Sequence, residues 1–145
     1  MISTRLVHQI EDHWEAISER FLRQLRATQH LHHLSHLPES EVTETCRRVL
    51  HNLGHWLVCS SEEEIARLYE KLGHDRFLQG MPLSEALRAV QLMKDATLDY
   101  IRDEFMVRTT VDVFAEEELE QQLGRFFDLM LYHLACGYEH AAREQ

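Results

Sequence analysis

The sequence predicts an all-α protein, a bundle of five helices, on the basis of two observations. Its 145 residues contain only five glycines and two prolines, and no strand-like alternation of valine, isoleucine and threonine runs for more than a few positions. Apolar side chains instead recur at spacings of three and four along most of the chain, which places them on one face of a helix. Because this length is typical of one ordinary domain, we expect a single helical domain over residues 1–145.

The first two predicted helices are separated by a polar connection. The first helix spans roughly residues 3 to 28. Its apolar stripe consists of Leu6, Ile10, Trp14, Ile17, Phe21 and Leu25. The connection runs from Gln29 to Leu37, because it carries four histidines and precedes Pro38, which disfavours a helical conformation in the residue before it. The second helix is expected to end near Cys59. Its stripe consists of Val42, Cys46, Val49, Leu50, Leu53, Trp56 and Leu57.

A sharp corner joins the third predicted helix to the fourth. The third begins at Ser61, because a serine followed three residues later by Glu64 matches a capping box. It ends at Gly80, since glycine readily adopts the left-handed conformation that closes a helix, and Pro82 suits the first turn of the next one. The apolar residues of the third helix are Ile65, Leu68, Tyr69 and Leu72.

The last two predicted helices form a long antiparallel pair. The apolar residues of the fourth helix are Leu83, Leu87, Val90, Met93, Leu98, Ile101 and Phe105. The fifth runs from about Asp112 to the end of the sequence. Its apolar residues are Leu119, Leu123, Phe126, Phe127, Met130, Leu131, Leu134 and Tyr138. This stripe is wider than one neighbouring helix needs, so we expect the fifth helix to contact two neighbours or a second subunit.

Charge and composition narrow the possible function classes. Fifteen basic against 25 acidic residues give a net charge of −10, which repels nucleic acid and anionic membranes. The N-terminus reaches charged residues too soon for a signal peptide, and no apolar run approaches the length of a membrane span. The three cysteines form no Cys-x-x-Cys pair, so the spacing is not typical of a disulfide framework or a zinc site. We therefore expect a cytoplasmic protein with reduced thiols that binds neither nucleic acid nor membrane.

Motifs for metal binding and catalysis are weak. His51 and His55 are four residues apart on the second helix, so they can share a metal ion, but Asn52 stands where a zinc protease carries its catalytic glutamate. No spacing marks a nucleophile together with a histidine and a third, orienting group. We expect no catalytic residues and no metal site, with His51 and His55 as the alternative metal pair.

The corner between the third and fourth helices suggests a family. Arg76 precedes Gly80 by four residues, and the pattern Arg-x-x-x-Gly-x-Pro-Leu-Ser-Glu over residues 76–85 resembles the corner in the N-terminal domains of RsbT co-antagonist proteins of the RsbRD type. The resemblance extends to Trp14 in the first helix and Tyr138 in the last. It implies a haem-free, globin-like sensory domain of the kind found in stressosome proteins, where it precedes a STAS domain or a histidine kinase.

The resemblance implies a non-enzymatic signal-sensing domain without a cofactor, which acts on a protein signalling partner or an output domain. Together with the wide stripe of the fifth helix, it predicts a homodimer formed through the C-terminal helices. Arg76 is the first candidate for ligand binding, because in a globin-like arrangement its guanidinium points toward the former cofactor space and can hold an anion. The further candidates are His74, Tyr69 and Trp56.

An adaptor that binds no small ligand at all is one alternative, and two more stay open at this point. One is structural: Arg76 forms a salt bridge with Asp75, Glu70 or Glu85. The other is a haem-binding globin-type sensor, since the haem-ligating histidine of globin-coupled sensors precedes a glycine by four residues in a similar corner. Arg76 occupies that matching position here, whereas His74 stands two residues earlier and is rotated by about 200° around the helix.

Overall fold

The computed structural model describes residues 4–104 and 109–145, and these residues form seven α-helices and no strand. The helices are α1 (Thr4–Asp12), α2 (Trp14–Ala27), α3 (His32–Ser35), α4 (Glu39–Cys59), α5 (Glu62–Leu78), α6 (Leu83–Glu104) and α7 (Thr110–Arg143). The predicted all-α class is confirmed. Phe105 and Ser3, at the ends of two predicted helices, lie outside the described residues. None of the helices within the described ranges is long and apolar enough to cross a membrane.

Seven helices form instead of the predicted five, because the first predicted helix is divided in two and part of the predicted connection is helical. The first predicted helix is interrupted at His13, whose ring Nδ1 lies 2.8 Å from the carbonyl oxygen of Gln9. The break lets α1 pack on α4, while α2 packs on both α4 and α6. Part of the predicted connection forms α3, because the buried carboxylate of Glu85 accepts hydrogen bonds from the backbone N–H groups of His33 and Leu34 at 3.0 and 3.2 Å.

The helix ends farther along the chain agree with the predictions. α4 ends at Cys59, and Ser61 caps α5 with its hydroxyl oxygen 3.5 Å from the backbone nitrogen of Glu64. α7 begins two residues before the predicted Asp112, because Thr109 and Asp112 form a reciprocal capping box. Local capping chemistry therefore sets these boundaries.

The corner between α5 and α6 is a Schellman motif. Gly80 has a φ of 82°, the backbone N–H of Met81 donates to the carbonyl of Arg76, and the N–H of Gly80 donates to the carbonyl of Phe77, each at 3.0 Å. The buried hydroxyl of Tyr138 on α7 donates to the carbonyl oxygen of Met81 at 2.9 Å. The predicted corner is confirmed, and Tyr138 attaches it to the C-terminal half of α7.

The long helix α7 packs on α4, α5 and α6, so neighbours within the chain cover its wide apolar stripe. α6 and α7 are antiparallel, as predicted. Arg102 pairs with Glu120 at one end of the pair, with 2.9 Å between Nε and Oε1, and Met81 contacts Tyr138 at the other.

Two glycines allow α5 and α7 to touch backbone to backbone. A Cβ atom at Gly73 would lie 2.2 Å from the carbonyl oxygen of Leu134, and one at Gly137 would lie 2.1 Å from the carbonyl oxygen of Glu70. Neither position has room for a side chain, because real Cβ atoms do not approach backbone oxygens so closely. This crossing holds α5, and with it Arg76, in a fixed position against the core.

Candidate functional site

A cavity of about 80 Å³ lies where the apolar faces of helices α2 to α7 converge. The residues that line it are Phe21, Leu25, Leu34, Leu37, Val42, Thr45, Cys46, Val49, Leu72, Arg76, Met81, Ala86, Ala89, Val90, Met93, Met130 and Leu134. Burial raises the pKa of the Cys46 thiol to about 12, so this cysteine stays protonated and contributes an apolar surface. The cavity is therefore almost wholly apolar.

Arg76 is the charged member of this lining, and its side chain is only 12% exposed. Its Nη1 lies 2.9 Å from Oε1 of Gln79 and 3.4 Å from Oε1 of Glu41, and its Nη2 lies 3.4 Å from the hydroxyl of Thr45. Glu41 is distant from Arg76 in the sequence and lies in the first turn of α4, and its side chain is 45% exposed. Such a pair is weak, because water and salt screen it. Another anion can therefore compete with Glu41 for the guanidinium.

The salt bridge of Arg76 differs from the one that the sequence suggested. Asp75 pairs with Lys71 at 3.0 Å, and Glu85 caps α3 through its carboxylate. The structure gives Arg76 a partner from α4 instead, because α4 and α5 both pack on α7, which brings the first turn of α4 next to the end of α5.

A polar groove of about 410 Å³ lies between α4 and α5, on the other side of Arg76. Thr45, Val49, Leu72 and Arg76 line both the groove and the cavity, so these four side chains separate the two spaces. A ligand with an anionic group in the groove and a small apolar group toward the cavity would contact the guanidinium and the apolar wall together.

Tyr69 lines the same groove as Arg76, so two of the four predicted ligand-binding residues lie in one space. Its hydroxyl oxygen accepts a hydrogen bond from Nδ2 of Asn52 at 3.3 Å. Burial raises the pKa of Tyr69 to about 12, although the Asn52 hydrogen bond acts in the opposite direction. Tyr69 is therefore a neutral hydrogen-bonding group at neutral pH.

The other two predicted residues lie elsewhere. The ring of Trp56 is buried against Phe126, with 5.9 Å between centroids, and lines neither the groove nor the cavity. His74 is on α5 and contacts the C-terminal end of the chain, with 2.9 Å between its Nε2 and Oε2 of Glu144. The structure therefore does not bring Trp56 and His74 to Arg76.

Sequence reasoning missed the residues that surround the guanidinium. Gln79 follows Arg76 by three residues on one helix, and this spacing was a signal that could have identified it. Glu41 and Thr45 are one turn apart on α4, but no pattern in the sequence connects them to Arg76. Their contact depends on how α4 and α5 pack on α7.

The cavity does not fit the haem alternative. Its volume is about half of the roughly 150 Å³ that holds one benzene molecule in an engineered protein cavity, and a porphyrin is several times larger than benzene. No histidine of the described residues lines the cavity. His74, the proposed ligand, contacts Glu144 instead.

Metal-ligating side chains come together at two other places within the described ranges. One group consists of His55, Cys59 and Glu64, and the second of Glu70, His133 and Cys136. His55 is the member of the predicted pair that has such neighbours, with its Nε2 3.0 Å from Oε2 of Glu64. His51 belongs to neither group.

A family model matches most of the chain. It is described as the RsbT co-antagonist protein rsbRD N-terminal domain, and the match covers residues 15–145. Comparisons with curated proteins and with solved structures find no significant match. The matched range contains every residue that lines the cavity and the groove.

Proposed function

Because the chain belongs to the family of RsbT co-antagonist RsbRD N-terminal domains, which are regulatory signalling domains, we propose that it is a non-enzymatic sensor of a small anionic ligand that binds at Arg76. The observation that carries this proposal is the nearly buried guanidinium between an apolar cavity and a polar groove, whose charged partner among the described residues is a weak, half-exposed carboxylate. The ligand combines a carboxylate or a similar anion with a small apolar group.

The signal passes from Arg76 to α7 through the corner. A ligand anion that binds the guanidinium competes with Glu41 and releases the first turn of α4. The carbonyl of Arg76 itself belongs to the Schellman motif, whose Met81 is attached to Tyr138 on α7. The ligand thus favours one of two packings of the long helix pair α6 and α7, and an output domain or a protein partner reads the position of α7.

The proposal includes a cytoplasmic location and a globin-like arrangement of the helices. The free thiols of Cys46, Cys59 and Cys136 support a reducing compartment. The net charge of −10 supports a protein partner rather than nucleic acid or an anionic membrane.

Butyrate is a suitable probe for the ligand site, because it carries one carboxylate on a short apolar chain. NMR titration of the wild-type chain should show butyrate binding with shifts confined to the neighbourhood of Arg76. The substitution Arg76→Met removes the charge but keeps an apolar side chain, so the affinity for butyrate should fall about 10- to 100-fold, as expected for hydrogen bonds to a charged group worth about 1.5–3 kcal/mol.

Two controls make this titration decisive. Butanol has the same chain without the charge and should bind the wild type as weakly as butyrate binds the Arg76→Met variant. The substitution Arg88→Met removes an exposed arginine on α6 and should leave butyrate binding unchanged. Equal binding of butyrate and butanol to the wild type would contradict the proposal.

We propose further that a second copy of the chain is a partner through α7. The core-facing stripe of α7 is covered within the chain, but Val111 and Phe114 at its N-terminal end are 74% and 65% exposed. Sedimentation velocity should show a dimer of the wild type at micromolar concentrations. The substitution Phe114→Glu should give a monomer with an unchanged circular dichroism spectrum, because this side chain contributes little to the core. A monomeric wild type across that range would exclude the dimer.

A further inference from the structure

A second cluster of chemically reactive side chains lies near the crossing of α5 and α7. Glu70 comes from α5, and His133 and Cys136 come from α7, where a spacing of three residues places them on one face. A carboxylate oxygen, an imidazole nitrogen and a thiol sulfur of these residues all lie within 4.8 Å of one another. None of the three lines the Arg76 cavity or the groove.

His133 lacks a partner on the side that faces this cluster. Its side chain is 9% exposed, and its Nε2 lies 3.1 Å from Oε2 of Glu62. Its Nδ1 is buried without a hydrogen bond to any described residue, and the nearest carboxylate oxygen, Oε1 of Glu70, is 3.7 Å away. When Nε2 donates its proton to Glu62, Nδ1 is an acceptor that faces another acceptor. A positive charge between Nδ1 and Glu70 resolves this unfavourable arrangement.

The donor set matches a zinc ion. Zn²⁺ binds imidazole nitrogen, thiolate sulfur and carboxylate oxygen, usually with four ligands in a tetrahedron. Glu62 on the far nitrogen of His133 is the type of partner that orients metal-binding histidines and strengthens them as ligands. Ligand atoms around zinc are about 3.5 Å apart. The Glu70 side chain is long and 37% exposed, so a small movement brings its carboxylate to this distance from the other two ligand atoms.

The geometry points to a Zn²⁺ site formed by Glu70, His133 and Cys136, oriented by Glu62, with a fourth position open to water or a further ligand. The site links α5 directly to α7. It differs from the sequence-based expectation of no metal, and it involves neither His51 nor His55. The inference does not rest on the Arg76 ligand, because the two sites share no residue.

A cobalt titration tests this site. The purified chain of residues 1–145 is freed of metal with a chelator and titrated with Co²⁺, whose bond to a thiolate gives an intense charge-transfer absorption. One Co²⁺ per chain should bind with this absorption, and Zn²⁺ should displace it. Cys136→Ser should abolish the absorption. Glu62→Gln should weaken metal binding about 10-fold, since it removes only the orienting carboxylate.

The group of His55, Cys59 and Glu64 supplies the matched control, because Cys59 is an exposed thiol beside a histidine and a glutamate. Cys59→Ser should leave the absorption unchanged. Zn²⁺ should raise the thermal midpoint of the wild type and of Cys59→Ser, but not that of Cys136→Ser, and all three should melt alike in the chelator. The proposal fails if the wild type binds no Co²⁺ through sulfur, if the absorption depends on Cys59, or if Cys136→Ser binds Zn²⁺ as tightly as the wild type.

Discussion

Gly137→Ala is expected to lower the free energy of unfolding by about 3 kcal/mol, at the upper end of the usual cost of overpacking. The new Cβ atom would lie 2.1 Å from the carbonyl oxygen of Glu70 and 2.9 Å from the backbone nitrogen of His74. These are backbone atoms of a packed helix, so they cannot turn aside as a side chain does, and α5 must move away from α7. The higher helix propensity of alanine, about 1 kcal/mol, offsets only part of this cost.

Gly124→Ala is the matched control on the same helix. Apart from its chain neighbours and the backbone of its own helix, no atom of the described residues lies within 4 Å of a Cβ at this position, so alanine should raise the stability by up to about 1 kcal/mol through helix propensity alone. Urea unfolding followed by circular dichroism measures both variants. If Gly137→Ala were as stable as Gly124→Ala, the close crossing of α5 and α7 would be incorrect.

Phe126→Ala is expected to cost about 3–5 kcal/mol, as is usual for removing a fully buried aromatic ring. Phe126 has no exposed surface, and its ring centroid lies 5.9 Å from that of Trp56, 6.0 Å from that of Tyr69 and 5.2 Å from that of Phe127. The ring therefore joins α4, α5 and α7 at one point. Alanine would leave a cavity between three helices, and rigid helices cannot collapse into it completely.

Two further substitutions distinguish the cost of the space left by Phe126→Ala from the cost of any leucine or alanine substitution. Phe126→Leu retains much of the volume and should cost a smaller amount, about 1–2 kcal/mol. Leu78→Ala removes a side chain that is 58% exposed and should change the stability by less than about 0.5 kcal/mol. Equal midpoints of urea unfolding for Phe126→Ala and Leu78→Ala would show that Phe126 does not occupy the centre of the core.

The local features of the fold were predictable because short-range chemistry decides them. Ser61 caps a helix through a backbone group three residues away, and Gly80 closes one through its own φ angle. The wide stripe of α7 also indicated correctly that it contacts more than one neighbour. The cap and the corner needed only residues within about one or two turns of each other, and the stripe of α7 needed only the apolar periodicity along one helix.

The break at His13 was not predictable because the apolar stripe continues across it, and the short helix α3 was not predictable because a distant residue stabilises it. The carboxylate of Glu85 caps α3 from α6, about fifty positions away in the sequence. No pattern near His33 indicates that a carboxylate from elsewhere will replace the missing cap. A segment rich in histidine therefore looks like a loop until its partner is known.

The same distinction between local and distant contacts applies to the residues of the candidate site. Arg76 was identifiable from its place in the corner, whereas Glu41 and Thr45 were not, since they reach it only through the packing of α4. His133 and Cys136 are three residues apart, a spacing that the sequence analysis did not use, and the approach of Glu70 to them depends on tertiary packing.

By itself the sequence determined the all-α class, most helix ends and the glycine–proline corner, because backbone hydrogen bonding and apolar periodicity act over a few residues. Only the tertiary structure decided which charges meet Arg76 and which side chains surround His133. Those arrangements depend on how closely α5 approaches α4 and α7, and that distance results from the packing of the whole bundle.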